Sequence, residues 1–200
     1  MKKEGALMKK MGYVEKTVLC AMFLAIGIVL PFFTGQIPQV GSMLLPMHIP
    51  VILCGLICGG RNGAAVGIIM PIMRSLIFTM PPMYPTAIAM AFELAAYGFI
   101  VGFMYENARW HCIKSLYRCM ITAMIGGRIV WGVAMAALLG IGENGFTLAA
   151  FAAGAFVNAI PGIILQLVFI PAMMLALDKT HLVPFGKNKK ILEKQEPETI

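Results

Sequence analysis

Residues 74–97, RSLIFTMPPMYPTAIAMAFELAAY, place one arginine and one glutamate in two apolar runs that a proline-rich turn separates. The turn, from Met80 to Pro85, has three prolines, which cannot continue a helix, and no charged residue. A charged side chain in hydrocarbon costs at least about 2.5 to 3.5 kcal/mol on insertion scales. Arg74 and Glu93 must therefore face each other, water or a ligand. The stretch predicts two membrane helices and a buried polar site.

The composition is that of an integral membrane protein. Of the 200 residues, 60% are hydrophobic and only 12% are charged, whereas soluble domains contain about 25% charged residues. The formal charge of +7 lies mainly in short segments beside apolar runs, where it orients the chain in a bilayer and indicates no nucleic-acid partner. The five cysteines form no CxxC pair and no zinc-type cluster with histidine, which favours apolar packing and predicts no metal site.

Six apolar segments predict an all-α integral membrane protein, a bundle of six transmembrane helices. Each segment is near the roughly 20 residues that a bilayer crossing needs, although the second is short. The segments are approximately Glu15–Phe33, Leu44–Cys58, Asn62–Met80, Pro85–Tyr105, Leu116–Leu139 and Asn158–Leu177. We expect residues 1–180 to form one substrate-binding membrane domain and residues 181–200 to form a charged cytoplasmic tail.

The positive charges predict the orientation of the bundle. All Lys and Arg residues except Arg74 and Arg128 lie in the two tails or in the loops on one side. The opposite loops, about residues 34–43, 80–85 and 140–157, contain none, so the positive-inside rule predicts that both termini are cytoplasmic. The first and last of these outer loops combine glycine with apolar residues, which predicts a lid over a pocket; a position at the lipid headgroups is the alternative.

Three charged residues lie deep in the predicted spans: Arg74, Glu93 and Arg128. At 1.5 Å per helical residue, each lies roughly 12 to 18 Å from one membrane surface. One glutamate cannot neutralise two arginines, so the surplus positive charge favours an anionic ligand. The alternative is a structural Arg–Glu pair, with the other arginine on backbone carbonyls or lipid headgroups.

Uncharged side chains near these charges complete the predicted site. Tyr97 follows Glu93 by one helical turn, and Trp131 follows Arg128 by three residues, which puts each pair near one helix face. The other candidates come from the outer end of the second span and from the start of the sixth. The predicted substrate-binding residues are Arg74, Glu93, Arg128, Tyr97, Trp131, Asn158 and His48, with Gln166 as a further amide in the sixth span.

Two pairs of small residues, each four positions apart, predict close helix contacts. They are Ala21 with Ala25 in the first span and Gly98 with Gly102 in the fourth. The sequence contains no GxxxxGK[ST] loop, HExxH motif or nucleophile elbow. We therefore predict no catalytic residues, no enzymatic activity and no cofactor, and a transport function whose energy comes from an ion gradient or from another protein.

The chain resembles the substrate-binding (S) components of energy-coupling factor (ECF) transporters, the vitamin-uptake branch of the ABC systems. The resemblance covers nearly the whole chain and is greatest to the pantothenate-type subset. It is carried by Ala21-x-x-x-Ala25, by LPMHIPV at residues 45–51 with CGGRNG at 58–63, by MPP at 80–82 and by ELAAYG at 93–98.

The resemblance implies a location and a set of partners. The protein would lie in the bacterial cell membrane and bind a vitamin or vitamin precursor, with pantothenate as the first expected ligand. Its first helix would dock through Ala21 and Ala25 on a transmembrane coupling subunit that works with two ATPase subunits. The alternative is a stand-alone ion-coupled secondary transporter of a small organic anion, with Glu93 as its coupling carboxylate; the chain shows no inverted repeat that would favour it.

Overall fold

The computed structural model describes residues 12–34, 46–108, 112–140, 147 and 159–179. Within these residues all regular structure is helical and no strand occurs, which confirms the all-α prediction. A 3-10 turn over Leu30–Thr34 extends the first helix, and a wide turn over Met83–Ala87 precedes the fourth. The helices are α1 Tyr13–Val29, α2 His48–Cys58, α3 Gly60–Phe78, α4 Ile88–Glu106, α5 Ile113–Leu139 and α6 Ile160–Lys179.

Four of these helices are long and apolar enough to cross a membrane. The stretches are Tyr13–Phe32, Met83–Glu106, Ile113–Leu139 and Ile160–Asp178. The other two helices differ from them in length or composition. α3 has 19 residues, but Arg61 and Arg74 lower its hydropathy, and α2 has only 11 residues. Six spans and cytoplasmic termini stay predictions.

α2 is the innermost helix of the described bundle. Its sequence is apolar on all sides, which is typical of a helix enclosed by others, and every residue from Met47 to Cys58 is buried. It packs against α1, α3, α4 and α6. Pro50 is tolerated because it lies in the first turn of α2, where its nitrogen has no intrahelical partner to lose. At 1.5 Å per residue, the 11 residues rise only about 16 Å. Because Met47 and His48 are buried, α2 begins inside the bundle.

Glycines let α2, α3 and α4 pack backbone to backbone. A Cβ on Gly98 would overlap the main chain of Gly63, and a Cβ on Gly102 would overlap that of Gly60. A Cβ on Gly63 would lie 2.7 Å from the Cα of Gly55. The predicted close contact through Gly98 and Gly102 is thus confirmed. It holds α2 and α4 at a fixed separation, which positions the polar groups in their N-terminal halves.

The proline-rich turn lies where the sequence predicts it. α3 ends at Phe78, and Thr79 adopts a left-handed conformation with φ of 57°. Further along, the Tyr84 hydroxyl donates a hydrogen bond to the carbonyl oxygen of Leu138. This contact places the turn beside the C-terminal end of α5, so the two lie on the same side of the bundle.

Candidate functional site

Glu93 and Arg128 form a buried ion pair between α4 and α5. Nη1 of Arg128 lies 2.9 Å from Oε1 of Glu93. The two residues are only 2% and 5% exposed. Burying both charges removes their hydration, so the pair is stable only because each charge has the other as a partner. Loss of either side chain would leave the other as an uncompensated charge.

His48 is the third member of this polar cluster. Its Nε2 lies 3.4 Å from the same carboxylate oxygen of Glu93, and the side chain is fully buried. Its ring meets the ring of Tyr97 edge-on, with centroids 5.0 Å apart and an interplanar angle of 89°. Because His48 is the first residue of α2, the contact brings the partially positive N-terminus of this helix to the Glu93 side of the bundle.

Tyr97 is the fourth member of the cluster. It lies one turn after Glu93 on α4, toward the end of this helix that is predicted to be cytoplasmic. It is 1% exposed, and its hydroxyl interacts electrostatically with both Glu93 and Arg128. Its ring lies against Gly127, where a Cβ would overlap the ring. The glycine before Arg128 therefore makes room for the aromatic side chain. The structure thus brings together four of the predicted residues, His48, Glu93, Tyr97 and Arg128.

Several polar atoms of the cluster have no hydrogen-bond partner within the described part of the chain. These atoms are Nε and Nη2 of Arg128, both ring nitrogens of His48 and Oε1 of Glu93, whose contacts with Arg128 and His48 are ion-pair distances. Nε and Nη2 form one edge of the guanidinium, whose two parallel N–H groups match the two oxygens of a carboxylate or phosphate. Buried polar groups are usually hydrogen-bonded. The arrangement is therefore suited to a polar ligand with an acidic group.

Arg74 has a different environment from Arg128. Its Nη1 donates a 2.6 Å hydrogen bond to the carbonyl oxygen of Ile28 in α1. Its guanidinium carbon lies 5.4 Å from the ring centroid of Phe32 and 5.6 Å from that of Phe78. Arg74 thus ties α3 to α1 and is not brought to Glu93. The alternative to an anionic ligand site is a structural Arg–Glu pair with the other arginine on a backbone carbonyl. The contacts of Arg74 and Arg128 match that arrangement.

The remaining predicted residues lie in several places. Trp131 is half-buried on α5, one turn after Arg128. Gln166 of α6 is 1% exposed, and neither atom of its amide has a hydrogen-bond partner within the described residues. Asn158 lies outside the described residues, as do most residues of the two glycine-rich outer loops.

A family model described as ECF transporter, substrate-specific component, matches residues 11–176. The chain belongs to this family. An S component is the substrate-specific subunit of a transporter, and such subunits are generally not enzymes. Membership implies a small-molecule substrate and partners in an ECF module, and it does not favour a stand-alone secondary transporter. Comparisons with curated proteins and with solved structures gave no match.

In this S component, the small-residue pair of α1 lies on the outside of the bundle. Ala21 and Ala25 are exposed, as is the neighbouring Met22. Gly27, two residues after Ala25, faces inward against Met70. The alanine pair is therefore not used for packing within the described bundle and is accessible to a partner.

Sequence reasoning missed a group of three thiols in this S component. Cys20 of α1 meets Cys54 and Cys58 of α2, and the three Sγ atoms lie within 4.8 Å of one another. Cys20 and Cys54 are 34 positions apart in sequence. Only the spacing of Cys54 and Cys58, one helical turn, is visible in the sequence. No local motif connects this pair to Cys20.

Proposed function

We propose that this chain is the substrate-binding S component of an ECF-type ABC importer and that it binds an anionic vitamin or vitamin precursor, with pantothenate as the first candidate. The observation that carries the anionic specificity is the buried Nε–Nη2 edge of Arg128, which has no hydrogen-bond partner within the described residues. Family membership supports the transport role, and the cluster geometry supports the class of ligand.

The proposed binding mode keeps the ion pair intact. Glu93 stays on Nη1 of Arg128, and the ligand carboxylate accepts two hydrogen bonds from Nε and Nη2. Hydrogen bonds between charged groups are roughly twice as strong as neutral ones, and the bidentate form also fixes the orientation of the ligand. Nδ1 of His48, which has no hydrogen-bond partner within the described residues, then binds a hydroxyl or amide group of the ligand.

The other predicted residues complete the proposed pocket. Trp131 packs against the apolar part of the ligand, since it lies one turn from Arg128. Asn158 donates or accepts through its amide. Arg74 contributes positive charge from a greater distance. This charge is not neutralised, because the acceptor of its hydrogen bond, the carbonyl oxygen of Ile28, is neutral. We also retain the predicted six spans, cytoplasmic termini and bacterial cell-membrane location.

The proposed partner surface is α1. Ala21 and Ala25 are exposed, and small residues four apart let two membrane helices approach closely. We propose that a transmembrane coupling subunit docks here and that two ATPase subunits drive it. Energy supply by separate ATPase subunits is consistent with a chain in which we find no phosphate-binding loop.

Binding of a matched ligand pair tests the anionic specificity. The purified protein in detergent is titrated calorimetrically with pantothenate and with pantothenol, in which an alcohol replaces the carboxylate. We expect pantothenate to bind at least about 100-fold more tightly, because the alcohol leaves the Arg128 edge without its second acceptor. Equal affinity for both compounds would contradict carboxylate recognition.

Mass spectrometry of the small molecules that purify with the protein tests the wider proposal. The protein is purified from cells grown with a vitamin mixture and then denatured to release bound compounds. One vitamin or precursor in stoichiometric amount is the expected result. If no compound is released and no added vitamin binds, the substrate-binding role is wrong.

A further inference from the structure

The thiols of Cys20, Cys54 and Cys58 form a second cluster, separate from the polar site. His48 begins α2, and Cys54 and Cys58 follow it by six and ten residues. At 1.5 Å per residue, these cysteines lie about 9 and 15 Å along α2 from His48. The thiol cluster is therefore at the opposite end of α2, and its chemistry is independent of the proposed substrate site.

The spacing of the sulfurs suits a metal ion better than a covalent bond. Cys20 Sγ lies 3.7 Å from Cys54 Sγ, and all three sulfurs lie within 4.8 Å of one another. A metal–thiolate bond of about 2.3 Å places the three sulfurs of a trigonal site about 4.0 Å apart. A disulfide requires about 2.05 Å and uses only two of the three. An ion between the sulfurs therefore demands only small shifts.

The donor set selects the type of ion. No histidine or carboxylate belongs to the group among the described residues. Soft sulfur ligands favour Cu(I) and Zn(II) over hard cations such as Mg²⁺ or Ca²⁺. Structural zinc sites almost always have four ligands, and this cluster offers three. A trigonal set of three thiols therefore fits Cu(I) best.

Access and charge also fit an ion at this place. Cys54 and Cys58 are 0% and 2% exposed, whereas Cys20 is half-buried and offers a route of entry. Lys16 lies one turn before Cys20 and interacts electrostatically with the sulfurs of Cys20 and Cys58. Its positive charge offsets part of the negative charge that the thiols acquire when they lose their protons to bind a metal.

We propose that Cys20, Cys54 and Cys58 bind one Cu(I) ion in a trigonal site that joins α1 to α2. Binding releases thiol protons to solvent, and the copper stays monovalent, so the step requires no oxidant or reductant. The ion clamps α1, which carries the exposed Ala21 and Ala25, to the innermost helix of the bundle.

A competition titration tests the site. The full-length protein, reduced and handled without oxygen in detergent, is titrated with Cu(I) in the presence of bathocuproine disulfonate, a coloured Cu(I) chelator. We expect one equivalent of Cu(I) per chain. Loss of a residue that only hydrogen-bonds to a metal ligand lowers metal affinity about 10–100-fold. Loss of a ligand itself should cost more, so we expect a decrease of at least about 100-fold in each of three variants, Cys20→Ser, Cys54→Ser and Cys58→Ser.

The two other cysteines provide matched controls. Cys112→Ser and Cys119→Ser remove a thiol outside the cluster and should leave the Cu(I) affinity unchanged. Equal losses in all five variants would show nonspecific thiol binding and overturn the proposal, as would the absence of stoichiometric binding to the wild-type protein. Tighter binding of Zn(II) than of Cu(I) would overturn the assignment of the ion.

Thermal unfolding separates loss of the site from loss of the fold. Cu(I) should raise the Tm of the wild-type protein and of both control variants, because a ligand that binds only the folded state stabilises it. It should not raise the Tm of Cys20→Ser, whose half-buried position makes this variant the mildest structural change in the cluster. An equal rise in Tm with Cys20→Ser would contradict the proposal.

Discussion

Arg74 of α3 donates a 2.6 Å hydrogen bond to the carbonyl oxygen of Ile28 in α1. The arginine nearest the proline-rich turn therefore fastens two helices, while Arg128 pairs with the buried carboxylate of Glu93. Both arginines are buried, so their burial does not distinguish them. Their partners do, so the same substitution should affect ligand affinity differently at the two positions.

Arg128→Met should lower the affinity for the anionic ligand by at least about 100-fold, because it removes the bidentate edge that we propose holds the carboxylate. It should also lower the Tm, because it leaves Glu93 as an uncompensated buried charge. Arg74→Met should lower the Tm and change the affinity less, because it removes the hydrogen bond to Ile28 and the contacts with the two phenylalanine rings. Calorimetric titration and thermal unfolding of both variants measure the two effects. Unchanged affinity in Arg128→Met would contradict the proposed role of this residue.

Glu93→Gln should destabilise the protein by about 3 to 5 kcal/mol, because it leaves Arg128 as an uncompensated buried charge. The double variant Glu93→Gln with Arg128→Met removes both charges and should recover much of the lost stability without recovering ligand binding. Thermal unfolding of the two single variants and the double variant measures the coupling. Strictly additive losses would show that the pair is not the reason for the destabilisation.

Gly98→Ala should destabilise the bundle by about 1 to 3 kcal/mol, because the new Cβ overlaps the backbone of Gly63, which cannot move without shifting α3. Gly126→Ala is the matched control on α5. Its Cβ would lie 2.6 Å from the terminal methyl of Ile100, a flexible contact that can rotate away. Thermal unfolding should therefore show a large drop in Tm for the first variant alone, and equal drops would contradict the close contact of α3 and α4.

Ala21→Trp or Ala25→Trp should abolish uptake by cells that contain the complete transporter and leave ligand binding by the purified subunit intact, because each adds bulk only on the exposed face of α1. Ala172→Trp is the matched control, since Ala172 is an exposed alanine on α6. Radiolabelled uptake and calorimetric titration measure the two activities. Loss of uptake in the α6 variant as well would show a general effect of the tryptophan, not a docking surface on α1.

The local features of the fold are readable in the sequence because their causes are local. Apolar runs of helical length predict the helices, and the prolines from Pro81 to Pro85 predict the interruption between α3 and α4. The spacing of Gly98 and Gly102 predicts a close contact, because small residues one turn apart flatten one face of a helix. The boundaries of α2 are less accurate, since a buried start lacks the polar residues that mark an exposed one.

The sequence by itself determined that Glu93, Arg74 and Arg128 are buried in an apolar, all-helical chain, because each lies well inside an apolar segment of helical length. Only the tertiary structure decided that Glu93 pairs with Arg128 and not with Arg74, and that Cys20 meets Cys54 and Cys58. The physical reason is the same in both cases. Residue spacing fixes which side chains share a face of one helix, whereas partners on different helices depend on how the helices rotate and pack against one another.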